Sequence, residues 1–233
     1  MSQSGLQTDA RVQDRPDLRS AAMIIDNNLH DEDVESMKFL CQGLLVGSKL
    51  KRIDTALEVI SLLQSANLVT ENDYFLLAEL LQYIGRVDVL ERIGYDAAEV
   101  MFQRHQRSSK IHPFFLLLFK LAEEMTDEDV KKAAFCYGKV PRSQLQKLSS
   151  GMDLFTVMVQ HQAIRPEDAE ILITIFSSLE RRDLVEQVSR YVGKGRNNSL
   201  PMFISLLDFL VVRWMKLLVS CRVDWFISQS VSL

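Results

Sequence analysis

An internal repeat is the feature of this sequence that most constrains its fold. Three motifs occur twice in the same order: Asp-Glu-Asp-Val at 31–34 and 127–130, Phe at 39 and 135, and Arg-x-Asp at 86–88 and 181–183. The offsets between the two occurrences are 96, 96 and 95 positions. Ordered matches at nearly one offset indicate two copies of one module.

Both copies have the apolar periodicity of α-helices, with apolar residues at i, i+3 and i+4. This pattern predicts helices over 18–29, 31–45, 48–53, 55–65, 70–84 and 86–93 in the first copy, and over 113–125, 127–137, 142–148, 151–161, 166–179 and 181–191 in the second. The 233 residues include only 9 Gly and 5 Pro, a composition that disfavours a turn-rich β fold. We therefore predict an all-α protein made of two six-helix bundles.

The segments outside the helices set the predicted domain organisation. Residues 1–17 are expected to be a disordered N-terminus, 18–94 the first domain, and 111–191 the second. Good helix formers at 96–103 predict that the connection over 95–110 is a short helical linker. Residues 192–233 form an apolar and basic tail whose structure the sequence does not define.

The charge distribution excludes one class of function. The net charge is −4, and it divides into −7 for residues 1–191 and +3 for the tail. An acidic body argues against a dedicated nucleic-acid binder, which needs a basic surplus. Three widely separated cysteines and an N-terminus without an apolar core favour a cytoplasmic protein without a disulfide framework.

No arrangement of residues predicts catalysis, a metal site or a cofactor. Cys41-Gln-Gly resembles the end of a cysteine-protease nucleophile motif, but it lacks the preceding Gln-Ala and an upstream histidine at the right distance. The four histidines have no metal-ligand spacing, and nucleotide-binding and metalloprotease motifs are missing from the sequence. We expect a protein that is not an enzyme.

The repeated acid and the Arg-x-Asp motif predict two charge networks. An arginine between two carboxylates can join the starts of two helices through charge-assisted hydrogen bonds. The alternative is a set of solvated surface charges with little energetic value. The predicted networks are Asp33, Arg86 and Asp88 in the first copy, and Asp129, Arg181 and Asp183 in the second.

The repeated phenylalanine predicts a partner-binding residue in each copy. Phe39-Leu40 and Phe135-Cys136 both follow the helix-two acid by six and seven residues. Leu40 has the helical spacing of a core residue, which places Phe39 on a flank. Such a phenylalanine is either half-buried in its own bundle or an exposed apolar anchor for a partner.

Together these motifs resemble tandem death effector domains over residues 18–191. The resemblance implies two death-fold bundles that assemble head-to-tail with other death effector domains, through Phe39, Leu40, Phe135 and Cys136, with the charge networks supporting the surface around them. The implied partners are the Fas-associated adaptor, initiator caspases and other copies of the chain. The implied function is a FLIP-like regulator of apoptosis in the death-inducing signalling complex; the alternatives are a truncated or alternatively spliced initiator-caspase prodomain and a membrane-tethered scaffold.

Two departures from the family pattern lead to a ranking of the two copies. Val89 stands where the family has Leu after Arg-x-Asp, and Cys136 stands where it has Leu after Phe. Because Cys buries less apolar surface than Leu, we expect the second copy to have the weaker docking surface. Phe39→Asp is then expected to impair recruitment more than Phe135→Asp.

The tail allows several interpretations. Leu200–Cys221 is mostly apolar but contains Asp208, Arg213 and Lys216, so a membrane span is disfavoured. The remaining interpretations are an amphipathic or partner-binding segment, or the end of a truncated or alternatively spliced product.

Overall fold

The regular structure of this chain is helical, as the apolar periodicity predicts. The computed structural model describes residues 15–141, 145 and 148–196, with side chains to residue 193. Within these residues the only extended pairings are two isolated bridges, Thr70 with Asp73 and Arg165 with Asp168. The all-α fold class of the prediction is confirmed.

Six helices form the first bundle, and a seventh follows it as the connection. They are α1 (Leu18–Asn28), α2 (Asp31–Leu40), α3 (Gly47–Leu50), α4 (Ala56–Ser65), α5 (Phe75–Tyr83), α6 (Val87–Arg92) and the connecting helix α7 (Ala97–Gln106). Two predicted helices are too long. The helix expected over 31–45 ends at Leu40, where the chain tightens into a 3-10 turn at Cys41–Gly43, and the helix expected from residue 70 begins only after the Thr70–Asp73 bridge.

The second bundle has the same order of elements. Its described helices are α8 (Pro113–Glu124), α9 (Asp127–Tyr137), α10 (Gly151–Gln160), α11 (Glu170–Ser178) and α12 (Arg182–Arg196). The helix predicted over 166–179 also starts late, after the Arg165–Asp168 bridge. The helix predicted over 142–148 lies largely outside the described residues.

Side-chain caps explain why several helices start where they do. Thr55, Thr126 and Ser150 each accept a hydrogen bond from the backbone three residues on, and Glu58, Asp129 and Asp153 bond back to the cap. This capping box satisfies backbone donors that a helix start leaves unpaired. Gly138 ends α9 with φ of 67°, a left-handed conformation that glycine adopts without strain.

The two bundles pack on each other within one compact unit that extends to Val192. Helix α2 and the 3-10 turn after it lie against α8 and α10 of the second bundle. Gly43 allows this approach: a Cβ at this position would lie 2.8 Å from Cδ2 of Phe115 and 2.9 Å from Cβ of His112. The contact therefore depends on a residue without a side chain.

The structure differs from the prediction in the residues just before the first bundle and at the end of the last helix of the second bundle. Arg15–Asp17, expected to be disordered, pack on the first bundle: Arg15 lies 3.8 Å from the centre of the Tyr95 ring and pairs with Glu99, and Tyr74 donates a hydrogen bond to the Pro16 carbonyl. Asp17 caps α1. The last helix of the second bundle continues past residue 191 to Arg196, although Gly193 and Gly195 lie in this extension.

Candidate protein-docking site

The first predicted charge network joins the starts of α2 and α6. Arg86 donates to both oxygens of Asp88, from Nε at 3.0 Å and from Nη2 at 2.8 Å, and its Nη1 donates to Asp33. Asp33 also accepts from the backbone N–H of His30 at 3.0 Å, at the beginning of α2. The guanidinium therefore ties two helix starts together in the manner of a bidentate ion pair.

The second network repeats this geometry and adds one bond. Arg181 reaches Asp183 from Nε at 3.0 Å and Nη2 at 2.6 Å, and it donates to Asp129 from Nη1. Its Nη2 also donates to the backbone carbonyl of Glu124 at 3.0 Å. The second network thus links the end of α8 as well as the starts of α9 and α12.

These contacts lower the pKa of three of the acids. Hydrogen bonding from Arg86 lowers the pKa of Asp88 to about 2, and hydrogen bonding from Arg181 lowers the pKa of Asp183. Burial acts to raise the pKa of Asp129, but bonds from Thr126 and the charge of Arg181 outweigh it and lower that pKa. Asp88, Asp129 and Asp183 are therefore ionised at neutral pH, and their ion pairs hold helix starts together within each bundle.

Phe39 and Leu40 lie inside the molecule. Leu40 is part of the core of the first bundle, and the Phe39 side chain is only 3% exposed. The Phe39 ring meets the Phe115 ring of α8 edge-on, with 6.3 Å between ring centres. The expectation that Phe39 is either half-buried in its own bundle or exposed needs correction, because the second bundle of the same chain covers it.

A hydrogen bond next to Phe39 strengthens the contact between the bundles. Nε2 of Gln42 donates to Oγ1 of Thr156 on α10 at 3.0 Å. Sequence reasoning missed this interface because each copy was interpreted as a separate bundle. The signal for it was Gly43, one of only 9 glycines in the chain, four residues after Phe39.

Phe135, the counterpart of Phe39, faces outward. Its side chain is 85% exposed, and the neighbouring Cys136 is a free, exposed thiol. They border a shallow hollow on α9 and the end of α11, which we call the Phe135 face; it is lined by Lys131, Lys132, Phe135, Cys136, Ser178 and Leu179. This face combines an apolar centre with a basic rim.

An exposed apolar surface on the first bundle was not predicted. On α1 and α4, Met23 is 48% and Leu57 is 38% exposed. Asp26 accepts a hydrogen bond from the Leu57 N–H at 2.8 Å, and Glu58 is exposed beside it. We call these four residues the Met23 face. In the repeat, α1 and α4 correspond to α8 and α10, the helices on which Phe39 docks.

Cys41, the cysteine of the partial nucleophile motif, is a core residue. Cys41 is buried, and burial raises the pKa of its thiol to about 12. Since the thiolate is the reactive form, this cysteine is a poor nucleophile at neutral pH.

Within residues 15–141 and 148–193, no cluster of three or more histidine, cysteine or acidic residues could hold a metal ion. Among the helices that the structure describes, none has the length and apolar character of a membrane span.

Comparison with known proteins gives a family for both bundles. The family model described as "Death effector domain" matches residues 19–97 and 114–194. This match confirms the resemblance inferred from the repeated motifs.

Two relatives align with most of the chain. Caspase-8 of Rattus norvegicus is 29% identical over 207 residues, which are 84% of this chain and 42% of that protein. The CASP8 and FADD-like apoptosis regulator of Mus musculus is 24% identical over 194 residues, which are 82% of this chain and 39% of that protein. The chain thus spans less than half the length of each.

A solved structure has the same fold. A crystal structure of the viral FLIP MC159 superimposes with a TM-score of 0.64 at 16% identity, covering 78% of this chain and 93% of that chain. That structure concerns DISC assembly and inhibition by the viral FLIP. At this identity the match establishes a common architecture of two bundles.

Proposed function

This chain belongs to the death effector domain family, and from that premise we propose that it is a FLIP-like, non-enzymatic regulator of apoptosis. It docks on the death effector domains of the Fas-associated adaptor and of initiator caspases, and so modulates assembly of the death-inducing signalling complex. The family match supports the docking, and the similarity to the CASP8 and FADD-like apoptosis regulator supports the regulatory role.

The observation that carries the proposal is the different exposure of two equivalent phenylalanines. Phe39 is 3% exposed because a neighbouring bundle covers it, whereas Phe135 is 85% exposed. The Phe39 contact is therefore an internal example of how one such bundle binds the next. The Phe135 face is the copy of that surface that is open to another molecule.

The rim of the Phe135 face indicates what kind of surface it binds. Lys131 and Lys132 are exposed and line this face next to the apolar centre. A fitting partner surface offers apolar side chains with carboxylates around them, since complementary charge sets register and speeds association. Lys132 already pairs with Glu128 at 2.8 Å within the chain, so Lys131 is the freer of the two for a partner acid.

The Met23 face has this composition, which supports head-to-tail association of two copies. Met23 and Leu57 supply apolar surface, and Asp26 and Glu58 supply negative charge. The residue of the first bundle equivalent to Phe115 is Arg19, which is exposed and suited to stacking on an aromatic ring. A heterologous contact that does not close on itself produces an open filament.

Two docking modules in one chain also raise affinity without a new contact. Once one module has bound an assembly, the second binds at a high effective concentration. This gives a physical reason for a tandem arrangement in a regulator that has no catalytic role.

The similarity to rat caspase-8 favours one alternative. The aligned region is 84% of this chain but only 42% of caspase-8. The second candidate is therefore an initiator-caspase prodomain. Such a prodomain would seed the assembly, whereas a regulator would compete within it.

A reconstitution separates the two candidates. The chain is titrated into purified death-receptor adaptor and initiator caspase, and caspase activation is measured. Steady suppression with increasing concentration is expected of the FLIP-like regulator. Activation at low concentration would support the prodomain, and absence of any binding would refute docking.

A pair of variants tests the role of the Phe135 face. Phe135→Asp is expected to abolish the effect on caspase activation, because it places a charge at the centre of the contact. Phe102→Asp is the matched control, since Phe102 is also exposed, at 64%, but lies on the connecting helix. Equal loss in both variants would show that the Phe135 face is not specific.

A further inference from the structure

Two buried polar side chains lie on the helix of the first bundle that packs against the connecting helix. Glu79 is 2% and Gln82 is 5% exposed, and they are the buried polar side chains of the described residues. Both lie on α5, three positions apart, so they share one face of that helix. Helix α5 packs against the connecting helix α7.

One oxygen on each of these side chains has no hydrogen-bond partner within residues 15–141 and 148–193. They are Oε1 of Glu79 and Oε1 of Gln82. The Gln82 amide cannot resolve this by turning over, because its Nε2 donates to the carbonyl of Ala97 at 3.0 Å. Exchanging nitrogen and oxygen would place two carbonyl oxygens against each other.

Glu79 also lacks an ion-pair partner within 4 Å among the described residues, although two basic groups are near it. Ser109, in the loop after α7, hydrogen-bonds to the Glu79 carboxyl. The charged groups that face Glu79 are Arg104 on α7 and Lys110 in the loop, and Tyr83 on α5 is the other titratable neighbour. Arg104 instead lies over the Tyr83 ring at 5.0 Å, and Lys110 donates to the Leu68 carbonyl at 2.8 Å.

We propose that Glu79 carries a proton when the connecting helix α7 is packed on α5, and that its carboxyl O–H donates to Oε1 of Gln82. One proton then satisfies both unpaired oxygens, because a carboxylic acid gains a donor that a carboxylate lacks. The docking of the connecting helix on the first bundle is in consequence dependent on a proton.

The electrostatics agree with this geometry. Burial raises the pKa of Glu79, and the bond from Ser109 with the charges of Arg104 and Lys110 only partly offsets the effect. A carboxyl whose pKa is raised by folding contributes stability at pH values below its unfolded pKa. It loses that contribution as the pH rises through the folded pKa. Acidification therefore tightens the contact and ionisation weakens it.

The first test is the titration of Glu79 in the full chain. Side-chain ¹³C NMR follows the glutamate carboxyls with pH, and the Glu79 resonance is identified by its loss in Glu79→Gln. We expect Glu79 to titrate above the usual range of a glutamate. A midpoint at or below that range would overturn the proposal, whatever the stability of the variant.

The second test is amide hydrogen exchange of residues 97–111 at several pH values, corrected for intrinsic rates. In the wild-type chain, protection should fall with rising pH by at most about tenfold per pH unit, since one proton is linked to opening. Glu79→Gln keeps a neutral side chain of the same shape and should flatten this dependence. Glu91→Gln, at an exposed glutamate on α6, should retain the wild-type profile. A pH dependence unchanged by Glu79→Gln would refute the proposal.

Discussion

The same helix of the repeat has opposite surroundings in the two halves of this molecule. In the first bundle, Phe39 of α2 is covered by Phe115 of the second bundle, whereas in the second bundle Phe135 of α9 is 85% exposed. Both residues follow the same Asp-Glu-Asp-Val motif at the same spacing. The difference teaches that position in the tandem, and not the motif, decides whether this residue holds the molecule together or remains open to a partner.

This comparison changes the expected ranking of the two docking surfaces. The sequence favoured Phe39 as the stronger partner-binding residue, because Cys136 replaces a leucine in the second copy. Since Phe39 is buried between the two bundles, Phe39→Asp would reduce binding by destabilising the folded protein. Loss of binding by a folded variant is expected only from Phe135→Asp.

The largest expected effect is on stability at Phe39. Phe39→Ala should lower the free energy of unfolding by about 3–5 kcal/mol, because it leaves a cavity at a buried aromatic contact. Phe135→Ala should change it by less than about 0.5 kcal/mol, since that ring is 85% exposed among the residues that the structure describes. Urea denaturation of the two variants measures both values, and similar losses would break the comparison.

Gly43 gives the next largest effect. Gly43→Ala should lower the free energy of unfolding by about 1–3 kcal/mol, because the added Cβ overlaps Phe115 and His112 and forces the bundles apart. Gly47→Ala is the control, since nothing lies within 4 Å of a Cβ at Gly47. Thermal unfolding of the pair tests this, and a neutral Gly43→Ala would show that the interface adapts easily.

The charge networks have nearly the same geometry in the two bundles, so their variants can be compared directly. Arg181→Ala should lower the free energy of unfolding by about 0.5–1.5 kcal/mol more than Arg86→Ala does, because Arg181 makes the additional hydrogen bond to the Glu124 carbonyl. Urea denaturation measures both, and a larger cost for Arg86→Ala would contradict the structure.

Acid titration provides a check on the first network. The pKa of Asp88 is lowered from 3.8 to about 2, so its contribution is present above pH 3.8 and is lost as the pH falls toward 2. Arg86→Ala should reduce the pH dependence of stability in this interval, while Lys132→Ala, at an exposed pair, should leave it unchanged.

The smallest effect is expected at Cys136. Cys136→Leu adds apolar surface at the rim of the Phe135 face and should strengthen docking by about three- to tenfold, which is close to 1 kcal/mol. Sedimentation or titration with the adaptor measures it. Weaker docking would show that the partner surface is shaped for the smaller side chain.

Much of the fold could be predicted from the sequence because it depends on local patterns. Apolar periodicity located the helices, and the repeat showed two bundles. The errors lie at helix ends such as Leu40, where the 3-10 turn follows, and before Phe75 and Glu170, where bridged turns delay the start. In these places hydrogen bonds between neighbouring turns override helix propensity.

The site could be predicted only as far as each copy determines its own structure. The contacts of Arg86 and Arg181 follow from motif spacing within one bundle. In the structure each arginine pairs with the predicted aspartates of its own bundle. The burial of Phe39, the role of Gly43 and the Met23 face depend on how two bundles meet. That arrangement is set by complementary surfaces far apart in sequence, which periodicity does not report.

The absence of a side chain at Gly43 has a consequence for how this chain melts. A single bundle of this size buries a modest share of its surface and is only marginally stable. Because α2 packs closely on α8 and α10, unfolding either bundle uncovers apolar surface of the other, so heating should give one calorimetric transition for both. A partner that touches only the Phe135 face would then raise the melting temperature of the distant first bundle by mass action.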